Sequence, residues 1–356
     1  LVCDCLSVNP HPPIFKSPNQ TDMPNLILKH HCSLLLPVIL SIAFYFPEKS
    51  VAQPSAASDS LNQEIFRVIR SGNADRLKSL LQQGANANAM ADGYSALMAA
   101  ALNGNATQMD ILIRHGALVN HQNTDGFTAL WFSMPDYGKV DLLLSHGADP
   151  GLRSKEGFTV LAKLANYPGA LKIFQSLRDH GADLLHSGPD NSLIYNAASS
   201  CDTAIMGFLI SSGLSVNDTI SVGDYPINSA LNYRCFPIVK MLVDHGAKVN
   251  VAPMHLPLDP LNGITPLMFA GVSDDSLSFF YLLDHGADPH ARDKRGYTVL
   301  MFVQQAGQEE PAMTKALLER GINPLEKAYD ETDALSIAEL KGNTQTVALL
   351  KKYVHH

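Results

Sequence analysis

Charge, cysteine and catalytic motifs are all scarce in this sequence. Only 17% of the 356 residues are charged, and the balance is acidic, at −8. Neutralising phosphates needs a basic face, so nucleic acid is not an expected partner. Five cysteines occur, and three of them (Cys3, Cys5 and Cys32) lie before residue 33. There is no G-x-S-x-G elbow, no phosphate-cradling Gly-Lys loop, no H-E-x-x-H, and no C-x-x-C beyond residue 52. Function has to be argued from a site, and none of these supplies one. The expectation is therefore no enzyme, no metal and no cofactor.

Long apolar runs are missing too. The stretch "LLLPVILSIAFYF" (34–46) has 13 residues, short of the about 20 that a membrane-spanning helix needs. It follows the basic start "MPNLILKHH" (23–31) and precedes the small residues of "SVAQ" (50–53). This is the layout of a secretory signal over 23–52, with cleavage expected after Ala52 and an uncleaved inner-membrane anchor as the alternative. Residues 1–22 carry no periodicity and read as sequence upstream of a start at Met23. Residues 53–60 read as a linker. Removing 1–52 takes away three lysines and three acidic residues, so the net charge is unchanged. Only Cys201 and Cys235 then remain, an even pair compatible with one disulfide in an exported protein.

What the sequence does contain is repetition. A glycine recurs at 84, 116, 147, 181, 213, 246, 286 and 321, inside phrases such as "LIRHGALVN", "LLSHGADPG" and "LVDHGAKVN". Upstream of it recur "DGYSALMAAALNGN", "DGFTALWFSM", "NGITPLMFAG" and "RGYTVLMFVQ". Asp-Gly and Asn-Gly make a tight turn, the Ser or Thr that follows caps a short helix, and a second helix carries paired apolar residues. The closing glycine is expected to take the left-handed conformation.

These phrases resemble the ankyrin repeat family, over roughly 61–356. The resemblance implies an all-α ankyrin solenoid of about eight or nine helix-turn-helix units with short β-hairpin-like finger loops. Its expected units are 61–90, 91–123, 124–154, 155–190, 191–223, 224–262, 263–294, 295–330 and 331–356, the first and last acting as caps. It also implies a non-catalytic, monomeric scaffold that binds a protein partner. With the signal, this becomes an exported, bacterial protein, most plausibly periplasmic. An immunity-type inhibitor of a periplasmic or incoming enzyme and a secreted effector acting on a host protein stay open.

Candidate sites follow from the registration. Tyr94, Phe127, Phe158 and Tyr297 each follow the turn glycine, Ile264 takes that place in the seventh unit, and Trp131 lies just beyond. Such a row is either a protein-binding surface on the concave face or packing between fingers. The proline-rich insertion "VAPMHLPLDPLN" (251–262) adds Met254, His255 and Leu256 as candidate contacts. His115, His146, His180, His245 and His285 precede the closing glycine, where a histidine suits a helix C-terminus better than a zinc ladder. Cys201 and Cys235 lie 12 and 11 residues before Gly213 and Gly246. This one-residue offset would let a bond form between adjacent units; two free, half-buried thiols are the alternative.

Overall fold

Short apolar segments bounded by Ser, Thr, Asn or Asp on one side and Gly on the other fold as helix pairs. The computed structural model describes residues 56–354 apart from 166, 189–192, 222 and 253–262, all within the unit Tyr45–His356. The first four helices are α1 (Ala56–Ser71), α2 (Ala74–Gln82), α3 (Ala96–Asn103) and α4 (Ala106–Arg114). The strands β1 (Met90–Ala91) and β2 (Tyr94–Ser95) form a finger between the two pairs. Then come α5 (Ala129–Phe132) with α6 (Tyr137–Ser145), and α7 (Val160–Leu164) with α8 (Leu171–Asp179). They are followed by α9 (Leu193–Ser199), α10 (Thr203–Ser211), α11 (Pro226–Asn232) and α12 (Phe236–Asp244). The array ends with α13 (Pro266–Val272), α14 (Ser276–Asp284), α15 (Val299–Gln305), α16 (Pro311–Leu318), α17 (Ala334–Lys341) and α18 (Thr344–Val354).

Odd-numbered helices pack against odd-numbered neighbours and even against even, so each unit meets chiefly the one before and the one after. This nearest-neighbour stacking is the all-α solenoid expected from the repeats. Side chains of Ser95, Thr128, Thr265 and Thr298 accept a free N–H in the first turn of the inner helices. Asn73, Asn105, Asp136, Asp202 and Asp275 do the same for the outer ones. Each such cap contributes about 1 kcal/mol. The closing glycines adopt φ between 81° and 96°, the left-handed conformation expected of them. Nothing lies within 4 Å of a Cβ built there, so conformation rather than space requires glycine.

A hydrogen-bond ladder that sequence reading did not anticipate joins successive units. Asn88, Asn120, Asn217 and Asn250 each stand four residues after a closing glycine. Each donates to the next unit's closing-glycine carbonyl at 2.9 Å and accepts a backbone N–H two residues beyond it. The equivalent positions after the third, fourth and seventh units hold Gly151, Leu185 and His290, which make no such bonds among those described. Around the first two of these joints the fingers are bonded instead, from Lys155 N–H to the Asp125 carbonyl and from Thr159 N–H to the Ser187 carbonyl.

Two details add to these expectations. Residues from Ala56 onward are already helical, so α1 begins inside the stretch read as a linker; nothing from Ala56 to Ser60 is a helix breaker. Among the described residues, only the first finger pairs as strands, with an isolated bridge between Arg292 and Thr298. Other described fingers are tighter and close on two backbone bonds, such as Asn123 N–H to the Phe127 carbonyl and Gly126 N–H to the Asn123 carbonyl. The signal-like segment 23–52 and the upstream 1–22 lie outside the described residues. Among the described residues no helix is long and apolar enough to cross a membrane.

Candidate protein-binding face

Fingers and inner helices share one side of the array, and the aromatic row lies along it. Tyr94 meets Phe132 edge to face at 5.3 Å between ring centroids, and Phe132 meets Phe127 at 6.1 Å. Phe127 stacks on Trp131 at 4.5 Å. Four rings from two successive units thus form one continuous cluster, an arrangement that adds rigidity to its burial energy. Tyr94, Trp131, Phe158 and Tyr297 are half-buried, each presenting part of its ring. Burial, and then the Asp125 carboxylate, raise the Tyr94 hydroxyl above its ordinary pKa. Tyr297 is raised by burial and by its 2.7 Å bond to Asp330.

Phe127 and Ile264 behave differently from the rest of the row. At 8% and 0% exposure they are packed inside the stack and cannot be direct contacts. Phe127 is the floor beneath Trp131; Ile264 is held by the finger whose Gly263 abuts Lys294 of the next unit. Met254, His255 and Leu256 lie outside the described residues.

The histidine question is settled by geometry. In all five cases the histidine is the C-cap of an outer helix, and its Nδ1 lies 2.7–2.9 Å from the carbonyl four residues earlier. A carbonyl only accepts, so Nδ1 carries the proton and caps the helix. Asp149, Asp183 and Asp288, three residues on, accept N–H groups two residues ahead and start the next turn. Among the described residues no cluster of three metal-ligating side chains occurs.

Cys201 and Cys235 are brought together, with Cα atoms 5.7 Å apart and their sulfurs paired. The one-residue offset does this. Cys201 is the left-handed residue (φ 57°) of the inter-helix turn in its unit, and Cys235 is the N-cap of α12 in the next. Cys235 makes no side-chain capping bond where Asp202 and Asp275 do.

Two polar features among the inner helices escaped sequence reading. Tyr195 donates to Asp224 at 2.9 Å, and Asp224, 2% exposed, also accepts from the Asn228 amide at 2.7 Å and from the Tyr225 N–H at 2.8 Å. Burial, with the adjacent Asp224 charge, pushes the Tyr195 hydroxyl far above its ordinary range. Lys163 donates to the Trp131 carbonyl at 2.9 Å and lies 5.4 Å from that ring's centroid. Burial lowers its pKa to about 8. Aligning the units on their finger glycines, which places Asp224 in the aromatic row, was the signal that could have found both.

A cleft of about 210 Å³ between α1 and the first finger is lined by Phe66, Arg67, Arg70 and Asp92. It is smaller than the ~300–1,000 Å³ of ordinary small-molecule sites.

Comparison with known proteins agrees with this architecture. The family model described as ankyrin repeats (three copies) matches residues 65–154 and 193–293, more than half of the chain. An ankyrin repeat protein of Acanthamoeba polyphaga mimivirus is 21% identical over 209 residues, covering 55% of this chain and 26% of that protein. The chain thus spans about a quarter of that relative's length. Stacked helix pairs, left-handed closing glycines and the family match all agree: the chain belongs to the ankyrin repeat family.

Proposed function

We propose that the array is a non-catalytic protein-interaction scaffold working outside the cytoplasm, and that its partner sits on the face formed by fingers and inner helices. The observation that carries this reading is the continuous cluster Tyr94–Phe132–Phe127–Trp131. It leaves two rings half-exposed on a rigid floor. Rings held by packing lose little conformational entropy on binding, which is how a pre-formed surface gains affinity. Phe158 and Tyr297 extend the row on either side of the central units.

Two features support a location outside the cytoplasm, periplasmic in the simplest form. One is the signal-like pattern of 23–52; the other is the pairing of Cys201 with Cys235, which an oxidising compartment would maintain. The net charge of −8 favours a neutral or basic partner surface. The test is quantitative capture by the full chain and by a Tyr94→Ala/Trp131→Ala/Phe158→Ala variant with an unchanged helical spectrum. Loss of the captured protein with the variant supports this face. Equal capture by both moves the binding surface elsewhere.

A further inference from the structure

Five residues after each position of the row, the inner helices place a side chain into the interior of the stack. The occupants are Ala99, Phe132, Lys163, Asn196, Ser229, Phe269, Phe302 and Ile337. Seven of the eight are buried, and those at both ends of the array are apolar. Lys163 is the one cation. It occupies the place that Phe132 fills one unit earlier, and the residue is half-buried.

The surroundings of that amine satisfy an ammonium ion only in part. Its described hydrogen bonds are limited to one, to the Trp131 carbonyl, although an ammonium carries three N–H donors. The indole face of Trp131 is its other neighbour, and no carboxylate pairs with it among the described ion pairs. Packed against α7 are α5, α8 and α9. Helix α5 holds no titratable group, and the Tyr195 hydroxyl on α9 is committed to Asp224. On α8, Lys172 lies over the Tyr137 ring and Arg178 pairs with Asp179. Trp131 on α5 offers the amine a carbonyl and a ring face but no counter-charge, and desolvation without a counter-charge favours the neutral amine.

We propose that Lys163 is a covalent modification site of the array, an amine that captures aldehydes as reversible imines. The nitrogen lone pair attacks the carbonyl carbon and a C–N bond forms. The amine's two protons leave with the aldehyde oxygen as water, giving a C=N bond with no change of oxidation state. A lysine desolvated in an apolar setting is the usual way a protein makes this nucleophile available. The lowering of its pKa to about 8, by burial alone, agrees with the geometry. At pH 7.5 such an amine is neutral in roughly a quarter of molecules, against roughly 0.1% for an ordinary lysine of pKa about 10.4. Trp131, lying against the amine, gives aromatic aldehydes a ring to rest on.

Benzaldehyde with cyanoborohydride, applied to the full chain at pH 7.5, traps any imine as a stable secondary amine that peptide mapping locates. Lys163 is expected to label roughly tenfold faster than the exposed Lys78, Lys315 and Lys351, the excess of neutral amine outweighing its lower basicity and partial burial. Trace acetylation with limiting acetic anhydride across pH 6–11 gives the midpoint of Lys163, expected near 8, well below the about 10.4 of an ordinary lysine. Lys163→Arg keeps a cation at the position and should lose only that label. Labelling of Lys163 no faster than Lys78, or a midpoint above about 10, overturns the proposal.

Discussion

Asn120 donates its side-chain N–H to the carbonyl of Gly147, the residue that closes the next repeat, at 2.9 Å. Its amide oxygen also accepts the Asp149 N–H at 2.8 Å, so one short side chain holds two backbone groups of its neighbour. In a stack where each unit touches chiefly the next, such a clamp fixes both spacing and rotation. Asn120→Ala breaks both bonds, and at about 0.5–1.5 kcal/mol each the expected loss is about 1–3 kcal/mol. A urea unfolding midpoint that does not move would show the clamp to be ornamental.

Stability should be uneven along the array. The joints after the third, fourth and seventh units lack the clamp, because Gly151, Leu185 and His290 stand in the asparagine positions, and two of the three are adjacent. The inner helices here, α5 and α7, are also the shortest, at four and five residues. Amide hydrogen exchange should therefore be fastest among the structured amides of 129–179, and slowest in α13 and α15. Uniform protection across all helix pairs would contradict this.

The Cys201–Cys235 pair closes a loop of sequence separation 34. On the chain-entropy estimate a bond of that span contributes about 3–4 kcal/mol. Adding a reductant should lower the thermal midpoint of the wild-type chain and leave a Cys201→Ala/Cys235→Asp variant unmoved. The aspartate should restore a capping bond worth about 1 kcal/mol at the head of α12. Complete alkylation of the untreated, denatured chain would mean the thiols are free.

Lys163 gives stability an unusual pH dependence. Its folded pKa is lowered to about 8 from 10.5, so the unfolded chain binds more protons between those values. Stability from this group is present above about 10.5 and lost as pH falls through about 8. At pH 7 the buried ammonium is a burden, and Lys163→Met is expected to stabilise by on the order of 1–3 kcal/mol. The gain should shrink toward zero above pH ~10.5. A Met variant less stable than wild type at pH 7 would contradict the reading.

Tyr195 works in the opposite sense. Its folded pKa is raised by burial and by Asp224, so its contribution is full below the unfolded value near 10 and is lost as pH rises through the folded one. Tyr195→Phe should flatten the alkaline decline while lowering stability at neutral pH by about 1–3 kcal/mol, since Asp224 loses a donor. An unchanged alkaline limb would place the titrating group elsewhere.

Most of the fold was legible because the repeats write it many times. Each closing glycine marks a left-handed turn, and each Thr or Ser after a finger is set to cap. The row of rings was legible as a row but not as a surface. Whether Phe127 or Trp131 faces outward depends on which ring lies beneath, and spacing does not encode that. The asparagine ladder was visible in "GALVN" and "GAKVN", yet its meaning needs the neighbouring unit, where the bonded carbonyl is. Lys163 was hidden for the same reason: its environment is made by Trp131, a full unit earlier.

The binding face is tested most directly by photo-crosslinking from single positions. A benzophenone side chain at Trp131 or Tyr94 faces the proposed partner; one at His180 lies at the opposite end of a unit, capping an outer helix. The expected result is a discrete covalent adduct of one size from positions 94 and 131, with none from 180. Adducts from 180 and none from 94 or 131 would contradict the assignment of function to the finger and inner-helix face.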